Sequence, residues 1–254
     1  MKNVILKIAF KGTAYSGWQL QQNAPTVQGE LKKAVYKITG ENVNIAGCSR
    51  TDAEVHANDY ICNFKIESSI PGENLIKALN SLLPDDIAVK DCFLAAENFN
   101  SRRDTYKKEY LYKIYTAPVR DPFLTGLAWH CTFPLDLEKM RRAVQSFPGK
   151  KDFAGFMAAG SEVKTTIRTI FESEVRCADN TIEFRVCGNG FLYNMVRIMA
   201  GTMFYAGIGK IDSAMLTEII EKKQRNLLGP TLPGHGLYLN KVFYNLESGV
   251  GNSE

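Results

Sequence analysis

The fold class predicted from the sequence is α+β: two ferredoxin-like halves, each reading β-α-β-β-α-β, whose mixed or antiparallel sheets merge and leave a central cleft. Three observations predict it. The length, 254 residues, suits one large or two modest domains of roughly 100–200 residues each. Hydrophobic periodicity switches repeatedly between the alternation of strands and the spacing of amphipathic helices. The same order of elements is read twice, over 1–106 and 107–254, with little identity between the two passes.

In the first half Val4, Leu6, Ile8 and Phe10 alternate on one face and predict a strand over 3–10. Thr26 predicts the cap of a helix with the stripe Val27, Leu31, Ala34, Val35 and Ile38, closed by Gly40. A hairpin-like pair follows at 43–47 and 58–66, the second arm alternating Tyr60, Cys62, Phe64 and Ile66. Leu75, Ile76, Leu79 and Leu82 predict a helix stopped by Pro84, and a strand follows at 87–94.

The second half opens with a strand over 107–116. Asp136 caps a helix with the stripe Leu137, Met140, Ala143, Val144 and Phe147. Strands at 165–176 and 181–187 flank a turn at Ala178-Asp179-Asn180. A long apolar helix over 190–206, a shorter one over 213–223 and a strand at 237–244 complete the chain.

Composition sets bounds on function. The chain is 45% hydrophobic and 23% charged, values of a globular protein with a sizeable core. No stretch approaches the roughly 18 apolar residues of a membrane helix. The N-terminal MKNVILKIAF lacks a secretory h-region and reads as the first strand, so a cytoplasmic protein is expected. A net charge of +4 permits a polyanionic partner without demanding one. The cysteines show no CxxC pair, so neither a disulfide framework nor a structural zinc is expected, and Cys62 and Cys187 are expected as small buried hydrophobes. Gly12, Gly17, Gly29 and Gly40 form neither a GxGxxG nor a Walker pattern, which excludes the usual dinucleotide and nucleoside triphosphate sites.

The two halves differ most at their central hairpins. The second turns in about three residues, whereas the first is spread over Gly47-Cys48-Ser49-Arg50-Thr51-Asp52-Ala53-Glu54-Val55-His56-Ala57. An insertion rich in ionisable groups, where the fold needs only a turn, is a place to look for function. Arg50 lies two residues from Asp52 and favours an ionised carboxylate, able to act as nucleophile, general base or metal ligand; the other reading is a loop Asp bonded to backbone N–H groups. In an extended segment Asp52, Glu54 and His56 share a face, an incomplete metal cage. Tyr106, Tyr110, Tyr112 and Tyr115 lie among Arg102, Arg103, Lys107 and Lys108. Rings mixed with cations suit nucleic acid, the charges meeting phosphates and a ring stacking on an unpaired base; they equally describe a half-buried strand with a solvated basic end. Arg197, in an apolar helix, needs an anionic partner or a path to solvent.

Six segments in order are similar to one family. They are Phe10-Lys11-Gly12-Thr13-Ala14-Tyr15-Ser16-Gly17-Trp18-Gln19-Leu20-Gln21 with Thr26-Val27-Gln28; Ser49-Arg50-Thr51-Asp52-Ala53 through Val55-His56-Ala57; Phe99-Asn100-Ser101-Arg102; Glu109-Tyr110-Leu111-Tyr112; Gly188-Asn189-Gly190-Phe191-Leu192 with Met195-Val196-Arg197; and Gly236-Leu237-Tyr238-Leu239. Together they resemble the TruA-type tRNA pseudouridine synthases over nearly the whole chain. The resemblance implies the pseudouridine synthase fold and an isomerase that turns uridine into pseudouridine at positions 38 to 40 of the tRNA anticodon arm. It implies Asp52 as the catalytic carboxylate that attacks the target uridine. Arg50 and Arg197 match active-site arginines expected to pair with Asp52 and hold the flipped nucleotide. Tyr110 matches the tyrosine that stacks on the base and is a candidate for proton removal at C5, and Leu237 matches an apolar residue lining the pocket. Arg102, Arg103, Lys107 and Lys108 are expected along the RNA backbone. No cofactor and no metal is expected, and a homodimer is. The sequence departs from the family's pattern at Glu54, where Gly is usual, at Lys11, where Asp is common, and at Asn100, where His is common. Two other classes are weighed beside the isomerase: a tRNA-binding or folding factor whose loop Glu54 has disabled, and a metal-dependent hydrolase built on Asp52, Glu54 and His56.

Overall fold

The computed structural model describes residues 1–160 and 163–245. The chain forms two compact units, Met1–Lys107 with the C-terminal strand from Tyr238, and Lys108–Leu237. Each is a mixed α+β unit.

In the first unit β1 (Lys2–Phe10) pairs antiparallel with β3 (His56–Ile66) on one side and with β4 (Ile87–Ala95) on the other. The predicted hairpin arm shrinks to β2 (Ala46–Gly47), bonded antiparallel to β3 at Asn63 and Cys62. β10 (Leu237–Tyr244), read from the sequence as the close of the second half, lies here, with Tyr238 and Leu239 parallel to His56 and Ala57 of β3. A short match of parallel register between distant segments leaves no periodic trace in the sequence.

α1 (Val27–Thr39) has the predicted termini. The Thr26 hydroxyl accepts from Gly29 N–H at 3.2 Å, a cap worth about 1 kcal/mol, and Gly40 closes the helix at φ 73°. Val27, Leu31, Ala34 and Val35 are buried. α2 (Gly72–Asn80) ends before Pro84, because the Asn80 side chain leaves the helix face to bond both the N–H and the carbonyl of Val89, each at 2.8 Å. Leu82 is therefore exposed and Leu83 takes the core position.

The second unit is an antiparallel sheet in the order β7 (Gly149–Asp152), β8 (Ile167–Ala178), β9 (Thr181–Gly188), β5 (Thr105–Thr116), with β6 (Trp129–Cys131) parallel to β5. β6 and β7 were not read from the sequence; three and four residues are too short to show alternation. α3 (Leu137–Val144) is capped by Asp136, which accepts from Lys139 N–H at 3.0 Å. That bond, with Lys139 nearby, holds the Asp136 carboxyl below its ordinary range. Met140, Ala143, Val144 and Phe147 join Phe156 and Phe184 in the core. α4 (Met195–Gly207) begins later than the predicted 190, since Asn194 is left-handed at φ 60° and residues 189–194 are loop. α5 (Leu216–Glu221) continues a short 3-10 turn over 213–215. Cys62 and Cys187 are buried as expected, and burial pushes the Cys62 thiol well up, so it stays protonated.

Candidate active site

The loop between β2 and β3 carries Asp52, and its shape is set by a segment that precedes α1. Gly17 N-terminal to Trp18 has φ 95°, and a Cβ there would overlap the carbonyl of Thr51 and sit 3.1 Å from the carbonyl carbon of Asp52. A Cβ on Gly12 would overlap the carbonyl of Val55 and lie 2.9 Å from the carbonyl carbon of Glu54. Both glycines are required because two backbones run in contact on either side of Asp52. Hydrogen bonds complete the clasp: Trp18 N–H to Thr51 O at 3.1 Å, Glu54 N–H to Tyr15 O at 3.1 Å, and Gly12 N–H to His56 Nδ1 at 3.0 Å. The same segment caps α1, whose Val27 and Gln28 N–H groups donate to Gly17 O and Trp18 O.

Aromatic packing stiffens the loop from below. The Trp18 ring stacks on Tyr60 at 4.2 Å and 28°, and the Tyr60 hydroxyl donates to Ser49 O. Tyr15 donates to Asp86 at 2.5 Å; burial, and then that acceptor, push its hydroxyl pKa upward. Asp52 itself is half-buried, with its carbonyl accepting from Val55 N–H at 3.3 Å. The Thr51 hydroxyl is buried beside it with no hydrogen-bond partner among the described residues.

Two expectations for this loop need correction. Asp52, Glu54 and His56 do not share an extended face, because Glu54 is left-handed at φ 66° and the chain turns there. His56 is buried, its Nδ1 is taken by Gly12 N–H, and its ring stacks on Tyr238 at 4.5 Å. Since Nδ1 accepts, the ring is neutral with its proton on Nε2. Arg50 is exposed and makes no ion pair among the described residues, so its expected pairing with Asp52 is not formed. The positive φ also gives a physical reason for glycine at position 54: Glu there costs roughly 1 kcal/mol in backbone strain.

Of the basic residues in the first unit, Arg103 is tied to Asp104 at 2.8 Å and to Asn98 O at 2.6 Å, while Arg102 is exposed and not ion-paired among the described residues. Lys107 lies over the Phe243 ring at 4.8 Å. The turn bearing these arginines is anchored by a buried network: Asn63 donates to Asn3 and to Phe99 O, Ser101 donates through its hydroxyl to Ala46 O at 2.8 Å, and Tyr244 donates to Ser101 O at 2.6 Å. Ala46 belongs to β2, the strand that leads into the Asp52 loop.

The second unit holds Tyr110, Arg197, Leu237 and Lys108. Tyr110 is buried and meets Phe191 edge-on at 5.0 Å and 80°. Lys108 pairs in register with Gly188, where the loop bearing Phe191 begins. Arg197, half-buried, donates through Nε to Leu232 O at 2.6 Å and through a terminal nitrogen to Asn194 at 2.7 Å. Tyr112 donates to Pro233 O at 2.9 Å, and a Cβ on Gly236 would be 2.6 Å from its ring. Burial raises the Tyr112 hydroxyl pKa, against a smaller opposing pull from Arg197, so it remains a donor. Arg197 and Tyr112 thus fix the segment that delivers buried Leu237 to the start of β10. The reading of Phe191 and Leu192 as helical neighbours of Arg197 is corrected, as both precede α4. The roles of Gly12, Gly17, His56 and Phe191 were not read from the sequence; the fixed spacing of the glycines in a Trp- and Tyr-bearing segment was the available signal.

The tRNA pseudouridine synthase family profile matches residues 7–99 and 143–245. A "tRNA pseudouridine synthase A" of Thermoanaerobacter sp. (strain X514) is 43% identical over 244 residues, covering 96% of this chain and 100% of its own. Proteins of the same name from Ruminiclostridium cellulolyticum and Clostridium kluyveri are 42% and 44% identical over 245 residues, with the same coverages. The chain belongs to the tRNA pseudouridine synthase family.

Proposed function

We propose that Asp52 is the nucleophile with which this tRNA pseudouridine synthase isomerises uridine at positions 38 to 40 of the anticodon arm. The observation that carries the reading is the clasp: two glycine backbones and three hydrogen bonds spent on holding one half-buried carboxylate in a loop where the fold needs only a turn. In the reaction the target nucleotide is flipped from the stack, the Asp52 carboxylate attacks C1′, and the N1–C1′ bond breaks as the Asp52–C1′ bond forms. The freed uracil rotates, and its C5 attacks C1′ and displaces the Asp52 carboxylate. The proton on C5 leaves to Tyr110 in its phenolate form and N1 gains one, so bonds and protons balance without a redox partner or metal. Arg50 and Arg197 hold the nucleotide, Tyr110 stacks on its base and Leu237 keeps the pocket dry. Arg102, Arg103, Lys107 and Lys108 meet RNA phosphates. In this reading 1–106 supplies the nucleophile and 107–254 the stacking ring, in a cytoplasmic homodimer.

Unmodified tRNA transcripts incubated with the purified protein and mapped base by base test the assignment. Pseudouridine at 38, 39 or 40 is expected, and its appearance only elsewhere in the tRNA would overturn the position. Sedimentation of the protein at micromolar concentration is expected to show a dimer; a monomer would remove that part of the reading.

A further inference from the structure

Arg168, at the start of β8, is a cation with no carboxylate partner among the described residues. One terminal nitrogen of its guanidinium donates to Thr165 O at 2.9 Å and Ile167 O at 2.7 Å. Those bonds fix the plane of the guanidinium, and its other N–H donors meet no carboxylate among the described residues. The group is partly desolvated, and burial pulls its pKa down. A half-buried arginine held by carbonyl dipoles alone is short of negative charge.

Its neighbours connect this deficit to Tyr110. A Cβ on Gly190 would be 3.5 Å from Arg168 Nε, so the guanidinium stem lies along the glycine backbone. Thr169, the next residue, exchanges hydrogen bonds with Asn189, donating at 2.9 Å and accepting at 3.0 Å, which locks the loop to β8. The residue after Gly190 is Phe191, the ring that meets Tyr110. Arg168, Gly190, Phe191 and Tyr110 therefore form one contiguous row.

We propose that Arg168 is an RNA phosphate contact, binding the backbone of the strand whose base is presented to Tyr110. The proposal rests on the reading of Tyr110 as the base-stacking residue. Arginine suits the task because its planar fork matches a phosphate bidentately, and the two carbonyls pre-orient that fork. Glycine at 190 leaves the stem uncovered by a side chain.

Binding of an unmodified tRNA transcript, measured over a salt series, tests it with wild type, Arg168→Gln and Arg168→Lys, alongside melting temperature and single-turnover pseudouridine formation. For Arg168→Gln the slope of log affinity against log salt is expected to fall by about 1. Affinity is expected to drop about tenfold, equally for the transcript and an unrelated stem-loop, with the saturating rate changed less than about twofold. Arg168→Lys is expected to keep the slope and lose only part of the affinity. An unchanged slope in Arg168→Gln with a lowered melting temperature would show a brace for the 165–167 turn and overturn the proposal. If Arg168→Gln does not fold, a Lys variant with the slope reduced by 1 would overturn it as well. Failure of the wild type to bind or modify tRNA would remove the reading beneath it, a result separate from any behaviour of position 168.

Discussion

The loop that carries Asp52 and the turn between β8 and β9 occupy the same place in the element order of their units, and they are held in opposite ways. The second is local. Ala178 pairs with Thr181, and Asp179 supplies the left-handed residue at φ 52°. The first is held from a distance by Gly12, Tyr15, Gly17 and Trp18, residues 33 to 44 positions before their partners in the loop. Each contains a non-glycine residue at positive φ, Glu54 in one and Asp179 in the other. Asp tolerates that region through its short polar side chain, whereas Glu does not. A turn that only reverses the chain needs nothing beyond its own residues. The loop that carries Asp52, the proposed nucleophile, is built from the outside.

That contrast can be broken by substitution. The largest effect is expected for Gly12→Ala, whose Cβ would overlap a backbone carbonyl that no rotamer can move. A loss of about 3 kcal/mol, read by chemical denaturation, is expected together with loss of activity. His56→Phe keeps a ring against Tyr238 but removes the acceptor for Gly12 N–H, leaving a buried donor unpaired. About 2 kcal/mol is expected to be lost; His56→Gln, which can accept, is expected to recover part of it. Glu54→Gly is expected to stabilise the protein by about 0.5–1 kcal/mol, as relief of backbone strain exceeds the added chain entropy of glycine. Asp179→Gly is expected to change stability by less than about 0.5 kcal/mol and leave turnover untouched. If the two turn variants behave alike in stability, the distinction between the loops loses its energetic basis.

Much of this was legible in the sequence because it is written in periodic or chemically marked residues. Thr26 and Gly40 bracket α1, Asp136 caps α3, and the faces Tyr60, Cys62, Phe64 and Ile66 of β3 and Tyr110, Tyr112 and Ile114 of β5 are buried, although burial runs through the residues between them as well. What escaped is non-periodic. The parallel pairing of β10 with β3 rests on two registered residue pairs, each 182 positions apart in the chain. α2 stops early because of a side-chain bond from Asn80 to Val89, and α4 starts late because of a left-handed Asn194. Asp52 and Tyr110 were marked as candidates by their motifs. The clasp was not, since a glycine required by close approach looks in sequence like any other. His56 suggested a ligand and proved to be an acceptor for a backbone N–H.

In the proposed function the clasp serves the carboxylate of Asp52. Single-turnover conversion of uridine in an anticodon-arm transcript by Asp52→Asn tests it most directly, with melting temperature and transcript affinity measured on the same preparation. The predicted result is a fall of about 10⁴-fold or more in rate, with stability and affinity close to wild type. Turnover within about tenfold of wild type would show that Asp52 is not the nucleophile.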